Sequence, residues 1–191
     1  APFTIFILIL IGTGLINFIN FMDGIDGLVA SCMFITTIFI GIIQNDLMFY
    51  LSAAIFGFLL KNWHPAKIFM GDLGSTFLGG LIVASLFNSP TINQFSNILI
   101  LNSPLILDAL ISLILRIKSG HNIFTPHKLH LYQRLTQKGW SHSKVSLIYS
   151  ISTLILGLTV ILGNILVSVI FSFGILFIGY FLDKKHASKF I

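Results

Sequence analysis

The distribution of basic residues relative to the apolar stretches constrains the fold of this chain more than any other feature. Seven apolar stretches lie at about 3–19, 28–43, 47–60, 76–87, 95–117, 144–163 and 165–182. If each stretch crosses a membrane in turn, all 11 lysines and arginines fall on one face or at a helix end touching it. The gaps on the opposite face hold none. The positive-inside rule makes the basic face cytoplasmic.

The composition supports a membrane protein. Hydrophobic residues make up 55% of the chain and charged residues only 9%, whereas a soluble domain carries about a quarter charged residues. We therefore predict an all-α, polytopic helical membrane protein with about seven transmembrane helices and a single transmembrane domain over 1–191. The net charge of +5 is interpreted as anchoring to anionic membrane lipid and not as binding to nucleic acid.

One polar stretch is much longer than a minimal turn. Residues 118–143 are predicted to form a long cytoplasmic loop with a short helix around 128–137, and long loops in compact domains are often functional. The chain begins at Ala1, directly inside an apolar stretch. We interpret it as the C-terminal part of a longer chain.

All six acidic residues are aspartates. Asp46 and Asp183 are expected to be ordinary surface charges. The others lie within or beside apolar segments, where a carboxylate is costly and usually has a partner or a function; they are Asp23, Asp26, Asp72 and Asp108. For Asp108 we expect either pairing with a neighbouring helix or a place in the lining of a cavity.

The first polar motif is NFINFMDGIDGL, from Asn17 to Leu28. On a helix, the spacing of three between Asn17, Asn20 and Asp23 puts them near one face. The spacing continues to Asp26. These oxygen-bearing groups suit Mg²⁺ or recognition of a polar ligand. The alternative is a helix start capped by aspartate.

The second polar motif is NWHPAKIFMGDLGS, from Asn62 to Ser75. Gly71 and Gly74 flank Asp72 just before an apolar stretch. Glycines allow a phosphate to approach the backbone closely, and a helix N-terminus favours an anion. The alternative is a re-entrant turn in which Asp72 caps a helix that begins at residue 76.

The third polar motif is PHKLHLYQR within the long loop. His127, His130 and Arg134 form a basic cluster that suits a diphosphate, because arginine binds phosphate with fixed geometry. A zinc site and a basic amphipathic loop on the lipid surface are the alternatives. His121 and His142 lie at the edges of the loop and are expected to be bystanders.

Together the three motifs resemble those of the polyprenyl-phosphate N-acetylhexosamine-1-phosphate transferase superfamily, glycosyl transferase family 4. NFINFMDGIDGL is similar to the family's Asn/Asp motif, NWHPAKIFMGDLGSTFLG to its second Asp motif, and PHKLHLYQRL to its histidine-containing loop. Tyr132 and Gln133 follow His130 where other branches place further histidines. This variant resembles the surface-polysaccharide branch more than the phospho-N-acetylmuramoyl-pentapeptide transferases.

The resemblance implies a Mg²⁺-dependent transfer of a sugar 1-phosphate from a UDP-N-acetylhexosamine to a polyprenyl phosphate, undecaprenyl phosphate in bacteria. UMP would be released at the cytoplasmic face of the cell membrane, as the initiating step of cell-envelope polysaccharide synthesis. Homodimerisation is left open. The alternatives are a cation-coupled membrane transporter and an inactive membrane scaffold.

The resemblance also implies roles for individual residues. Asp72 matches the metal-linked aspartate, and His127 and His130 match the loop that handles the diphosphate, so these three are the expected catalytic residues. The expected nucleotide- and substrate-binding residues are Asn20, Asp23, Asp26, Asn62, Phe69, Gly71 and Arg134, with Phe69 stacking on uracil. The family also carries an adjacent Asp-Asp pair. This sequence has none, and we expect such a pair upstream of Ala1.

Overall fold

The computed structural model describes residues 2–122, 125 and 127–190, with the side chain of Pro2 excepted. Pro126 of the third motif lies outside the described residues. The described residues form eight α-helices. Their bounds are α1 Pro2–Phe21, α2 Leu28–Ile43, α3 Leu47–Asn62, α4 Gly71–Phe87, α5 Ile92–Lys118, α6 Leu131–Gln137, α7 His142–Ile161 and α8 Ile165–His186.

The helices confirm the predicted polytopic membrane protein. By length and apolar composition, α1, α5, α7 and α8 can cross a membrane, and α2, α3 and α4 are shorter apolar helices. Only 6% of the apolar window of α8 and 17% of that of α1 is buried inside the protein. Their outward side chains form the apolar surface that a bilayer requires.

The core lies around α2, which packs against α3 and α7, while α1 packs against α4 and α5 against α7 and α8. Helix α1 approaches α4 very closely at Gly79. A Cβ atom placed there would lie 2.9 Å from the Cα atom of Ile16. Small residues allow membrane helices to pack at such short distances, so Gly79 sets the separation between the two helices that carry Asn20 and Asp72.

The connections gather at two opposite ends of the bundle, as predicted. At one end, the Gln44 side chain donates to the Ser85 carbonyl at 2.8 Å, and the Gln94 side chain donates to the Ile43 carbonyl at 2.7 Å. At the other end, the Gly27 N–H donates to Asn62 at 3.1 Å, and the Tyr132 hydroxyl donates to the Phe21 carbonyl at 2.9 Å. All three polar motifs therefore share one end.

Two predicted boundaries change in the structure. The apolar stretch predicted at 76–87 belongs to a helix that begins at Gly71, so the alternative in which Asp72 caps a helix at residue 76 is wrong. Gly71 has φ +64, a left-handed conformation that glycine adopts without strain. The short loop helix begins at Leu131, later than the predicted residue 128.

Candidate active site

The loop between α1 and α2 carries Asp23. This carboxyl is partly buried, and burial together with the nearby Asp72 carboxylate raises its pKa to about 6. Asp72 lies in the first turn of α4 and is exposed. Two like charges at one place each favour protonation of the other, unless a cation offsets them. The first two motifs therefore bring these two carboxylates close enough for one charge to act on the other.

The last turn of α1 is fixed to the first turn of α4 next to these carboxylates. The Ser75 hydroxyl donates hydrogen bonds to Asn20 Oδ1 and, at 3.0 Å, to the Gly71 carbonyl. The side-chain oxygen of Asn20 is thus occupied by a protein contact. Its position beside Asp72 agrees with the predicted cluster, while its predicted role in nucleotide binding stays a prediction.

Asn62 is the last residue of α3 and joins the connection between α3 and α4 to the loop between α1 and α2. It is buried, accepts from the Gly27 N–H at 3.1 Å and donates to the Ile68 carbonyl at 3.0 Å. These contacts hold two loops together around the site. In contrast to the buried Asn62, the side chain of Phe69 in the same connection is 76% exposed.

Asp26 is held by two histidines from distant parts of the chain. Its Oδ2 atom lies 2.6 Å from Nδ1 of His64 and 3.4 Å from Nδ1 of His142, and it accepts from the Ala66 N–H at 3.2 Å. Burial acts to raise the pKa of Asp26, but the hydrogen bonds from His64 and Ala66, together with His142, outweigh it and lower the pKa. His142 is thus in contact with the first motif, and the expectation that it is a bystander is wrong.

The short helix α6 is anchored by Asp108. Its carboxylate accepts from the Leu131 N–H at 2.8 Å, the Tyr132 N–H at 3.2 Å and the Tyr149 hydroxyl at 2.6 Å. The first N–H groups of a helix lack intrahelical partners, and a carboxylate satisfies them well. Asp108 also borders a cavity of about 310 Å³ between α5, α7 and α8, so both expectations for this residue hold.

His127 and His130 lie together just before α6, with ring centroids 5.0 Å apart. Burial, followed by His130 and Arg116, lowers the pKa of His127 to about 4. Burial also lowers the pKa of His130, although Asp108 opposes this shift. Both rings are therefore neutral near pH 7. Nδ1 of His130 is buried and has no hydrogen-bond partner within the described part of the chain.

Arg134 contacts acceptors outside the first two motifs. Its guanidinium group forms an ion pair with Asp183 and donates to the Leu129 carbonyl at 3.1 Å and the Ser188 carbonyl at 2.9 Å. The predicted role of Arg134 in diphosphate binding stays a prediction, because these contacts already direct it to protein acceptors. The expectation that Asp183 is an ordinary surface charge is wrong.

The structure thus brings the three motifs to one place. The charge of Asp23 interacts with that of Asp72 and acts on Tyr132 of α6, and the Phe21 and His130 rings lie 6.3 Å apart. Sequence reasoning missed His64 and His142 as partners of Asp26. His64 stands inside the second motif, so its place beside a conformationally restricted proline in a polar loop was the available signal.

These features define a class: a multi-pass membrane protein with carboxylates and imidazoles gathered at one end of its helical bundle. Residues 1–89 match the sequence model described as "Glycosyl transferase family 4". The chain belongs to this family, as its motifs predicted.

Three relatives illustrate the similarity. The decaprenyl-phosphate N-acetylglucosaminephosphotransferase of Mycobacterium leprae is 36% identical over 165 residues, covering 70% of this chain and 42% of the relative. The probable undecaprenyl-phosphate N-acetylglucosaminyl 1-phosphate transferase of Bacillus subtilis is 37% identical over 163 residues, covering 75% and 45%. The phospho-N-acetylmuramoyl-pentapeptide-transferase of Kosmotoga olearia is 34% identical over 157 residues, covering 78% and 48%. The chain spans less than half the length of each.

Proposed function

We propose that the protein transfers an N-acetylhexosamine 1-phosphate from a UDP-sugar to a polyprenyl phosphate in the membrane, with release of UMP. The observation that carries the proposal is that Asp23 and Asp72 are close enough for one charge to act on the other, at the end of the bundle that also holds His127 and His130. Both reactants are anionic, so their reaction requires groups that bind phosphate and offset charge.

The residues present fit a magnesium ion. Mg²⁺ is bound through one or two carboxylates together with water and substrate phosphates, and Asp72 is exposed beside the partly buried Asp23. Burial is the larger cause of the raised pKa of Asp23 and the Asp72 carboxylate the smaller one, and a cation bound beside them would favour the charged form of Asp23. When bound there, Mg²⁺ would supply charge neutralisation at the diphosphate. Asp72 is its proposed principal ligand.

The two histidines would contact the diphosphate as neutral hydrogen-bond donors. Nδ1 of His127 accepts from the Leu129 N–H at 3.3 Å, so in the neutral ring the proton is on Nε2. That N–H can donate to a phosphate oxygen. A diphosphate bound nearby would favour the protonated form of each ring, which would strengthen the contact as negative charge develops.

The nucleotide would bind beside the connection between α3 and α4. An exposed aromatic ring at a polar site is suited to stacking on a base, and Phe69 presents such a ring. Next to it, a Cβ atom added at Gly71 would meet nothing within 4 Å. This open backbone allows a phosphate group to approach the first turn of α4.

The lipid substrate would reach this site from the bilayer and the UDP-sugar from the cytoplasm. The lysines and arginines at the ends of α3, α5 and α8 share the site's end of the bundle, and the positive-inside rule assigns that end to the cytoplasm. We propose N-acetylglucosamine as the sugar, because two of the relatives are named for it.

The test uses the complete gene product in membrane vesicles with labelled UDP-N-acetylglucosamine, undecaprenyl phosphate and Mg²⁺. We expect labelled lipid and UMP in equal amounts, and we expect EDTA to remove both. Asp72→Asn keeps the side-chain size but removes the ligand charge, and should lower turnover by at least ~100-fold.

Asp46→Asn is the matched control, because Asp46 is an exposed aspartate at the opposite end of the bundle. It should retain the parent rate. Unchanged turnover in Asp72→Asn would contradict the metal assignment. Uptake of a labelled solute without lipid labelling would favour a transporter.

A further inference from the structure

A second cluster of metal-ligating side chains lies at the same end of the bundle as the proposed magnesium position. It consists of Asp26 from the loop between α1 and α2, His64 from the connection between α3 and α4, and His142 from the first turn of α7. One ligand atom from each lies within 4.8 Å of the others. The centroids of the two imidazole rings lie 5.0 Å apart, with the rings tilted by 55° to each other.

The ligand types point to a transition metal. Two imidazole nitrogens and one carboxylate oxygen form a set that binds Zn²⁺ and its neighbours in the first transition row, whereas Mg²⁺ prefers oxygen ligands. The cluster is therefore chemically different from the pair formed by Asp23 and Asp72. Three protein ligands leave a position for water.

The distances are close to those that a metal requires. Bonds of 2.0–2.2 Å arranged as a tetrahedron place ligand atoms about 3.3 Å apart. Nδ1 of His142 is already 3.4 Å from Asp26 Oδ2. Nδ1 of His64 lies 2.6 Å from the same oxygen, a hydrogen bond that must lengthen when an ion replaces the shared proton. Side-chain exposures of 41% for His64 and 37% for His142 leave room for this adjustment.

The surrounding contacts hold the carboxylate in place. The Asp26 carbonyl accepts from the Ser146 hydroxyl at 2.8 Å, and Oδ2 accepts from the Ala66 N–H at 3.2 Å. The next residue, Gly27, is held by Asn62. Hydrogen bonds to a ligating carboxylate are typical of metal sites, because they orient the ligand before the metal arrives.

We propose that Asp26, His64 and His142 bind one divalent transition-metal ion and that this site prefers Zn²⁺ to Mg²⁺. The ion fastens the α1–α2 loop, the α3–α4 connection and the start of α7 to each other. It thereby holds the loop that carries Asp23 at a constant distance from the connection that leads into α4 and Asp72. This inference concerns metal binding and does not depend on the proposed transfer reaction; it assigns Asp26 to the metal ion instead of to the nucleotide, the role that the resemblance implied.

The test measures binding of Co²⁺, a spectroscopically visible substitute for Zn²⁺. The complete protein is purified without a polyhistidine tag and carries Asp72→Asn throughout, so that the proposed magnesium position does not contribute. We expect one equivalent of Co²⁺ to give an absorption band of a four-coordinate site. Zn²⁺ should displace it, and excess Mg²⁺ should not.

Two ligand variants and one control locate the ion. His64→Gln and His142→Gln keep a hydrogen-bonding side chain but remove the imidazole. Each should weaken Co²⁺ binding by at least ~100-fold, because even the loss of a group hydrogen-bonded to a ligand can lower metal affinity that much. His121→Gln is the matched control, because His121 stacks on Phe190 in another part of the same end. It should bind as the parent does.

Folding of each variant is checked by its helical circular dichroism and its gel-filtration profile. The proposal is overturned if the parent binds no stoichiometric Co²⁺, or if folded His64→Gln and His142→Gln bind it as the parent does. Loss of binding in His121→Gln alone would place the ion in the long loop, which also contradicts the proposal.

Discussion

The anchoring of α6 by Asp108 can be tested with the substitution Asp108→Asn. The carboxylate is buried, with one oxygen facing the Leu131 N–H and the other facing the Tyr132 N–H. Asparagine has the same shape but only one acceptor oxygen. Whichever way the amide is turned, its NH₂ group faces one of these two backbone donors, which then has no partner.

The expected cost follows from these contacts. A buried donor left without a partner costs about 1–3 kcal/mol, and the remaining hydrogen bond loses the roughly twofold strengthening that an ionised acceptor provides. The sum is about 3 kcal/mol against the docked state of α6. Since about 1.4 kcal/mol is tenfold in an equilibrium, local opening of α6 should become about 100-fold more frequent.

The assay is hydrogen exchange followed by mass spectrometry, with the protein in lipid nanodiscs. Peptides covering residues 131–137 should exchange about 100-fold faster in Asp108→Asn, while peptides from the buried half of α2 should not change. Tyr149→Phe removes one donor at 2.6 Å and should give a smaller acceleration of about tenfold. Asp46→Asn serves as the control. If exchange of α6 in Asp108→Asn stays within twofold of the parent, the carboxylate does not hold the helix.

Three further predictions concern packing, charge and protonation. Gly79→Ala should lower the free energy of unfolding by about 1–3 kcal/mol, because its Cβ meets the α1 backbone. Gly80→Ala, with nothing within 4 Å of its Cβ, should be neutral or stabilising. Equal melting temperatures of the two variants would contradict the close approach of α1 and α4. Asp183→Ala should destabilise the protein more than Arg134→Met. Arg134 is the more deeply buried partner, and a buried charge without its partner is costly. Chemical denaturation measures the stability of both variants, and the reverse order would refute this reasoning. His127 should titrate near pH 4, because burial lowers its pKa, and its ring should stay neutral until the pH falls well below the usual imidazole range. An NMR titration of histidine-labelled protein measures the midpoint. A midpoint near 6.5 would show that the ring is not desolvated.

The positions of the helices were largely predictable because apolar length and charge placement act locally along the chain. The predicted stretch 28–43 coincides with α2. The predicted helix boundary was wrong where polar residues belong to the helix. Helix α4 includes Gly71 to Ser75, which read as a polar loop in the sequence, because the Ser75 hydroxyl finds acceptors inside the helix and on Asn20.

The candidate site was predictable in its chemical types but not in its pairings. Proximity of Asp23 and Asp72 was expected from their motifs, and in the structure the charge of Asp72 acts on Asp23. The partners of Asp26 and Arg134 were not expected. Asp26 pairs with His142, which lies 116 residues further along the chain, and no local spacing encodes such a contact.

The sequence by itself determined that this chain enters a membrane, because a polypeptide so poor in charge cannot present a water-facing surface. It also determined that its polar motifs return to one face, because the apolar stretches alternate in direction. Only the tertiary structure decided which polar groups neutralise one another and which remain available. That outcome depends on distances between helices, such as the approach at Gly79 that places Asn20 beside Ser75.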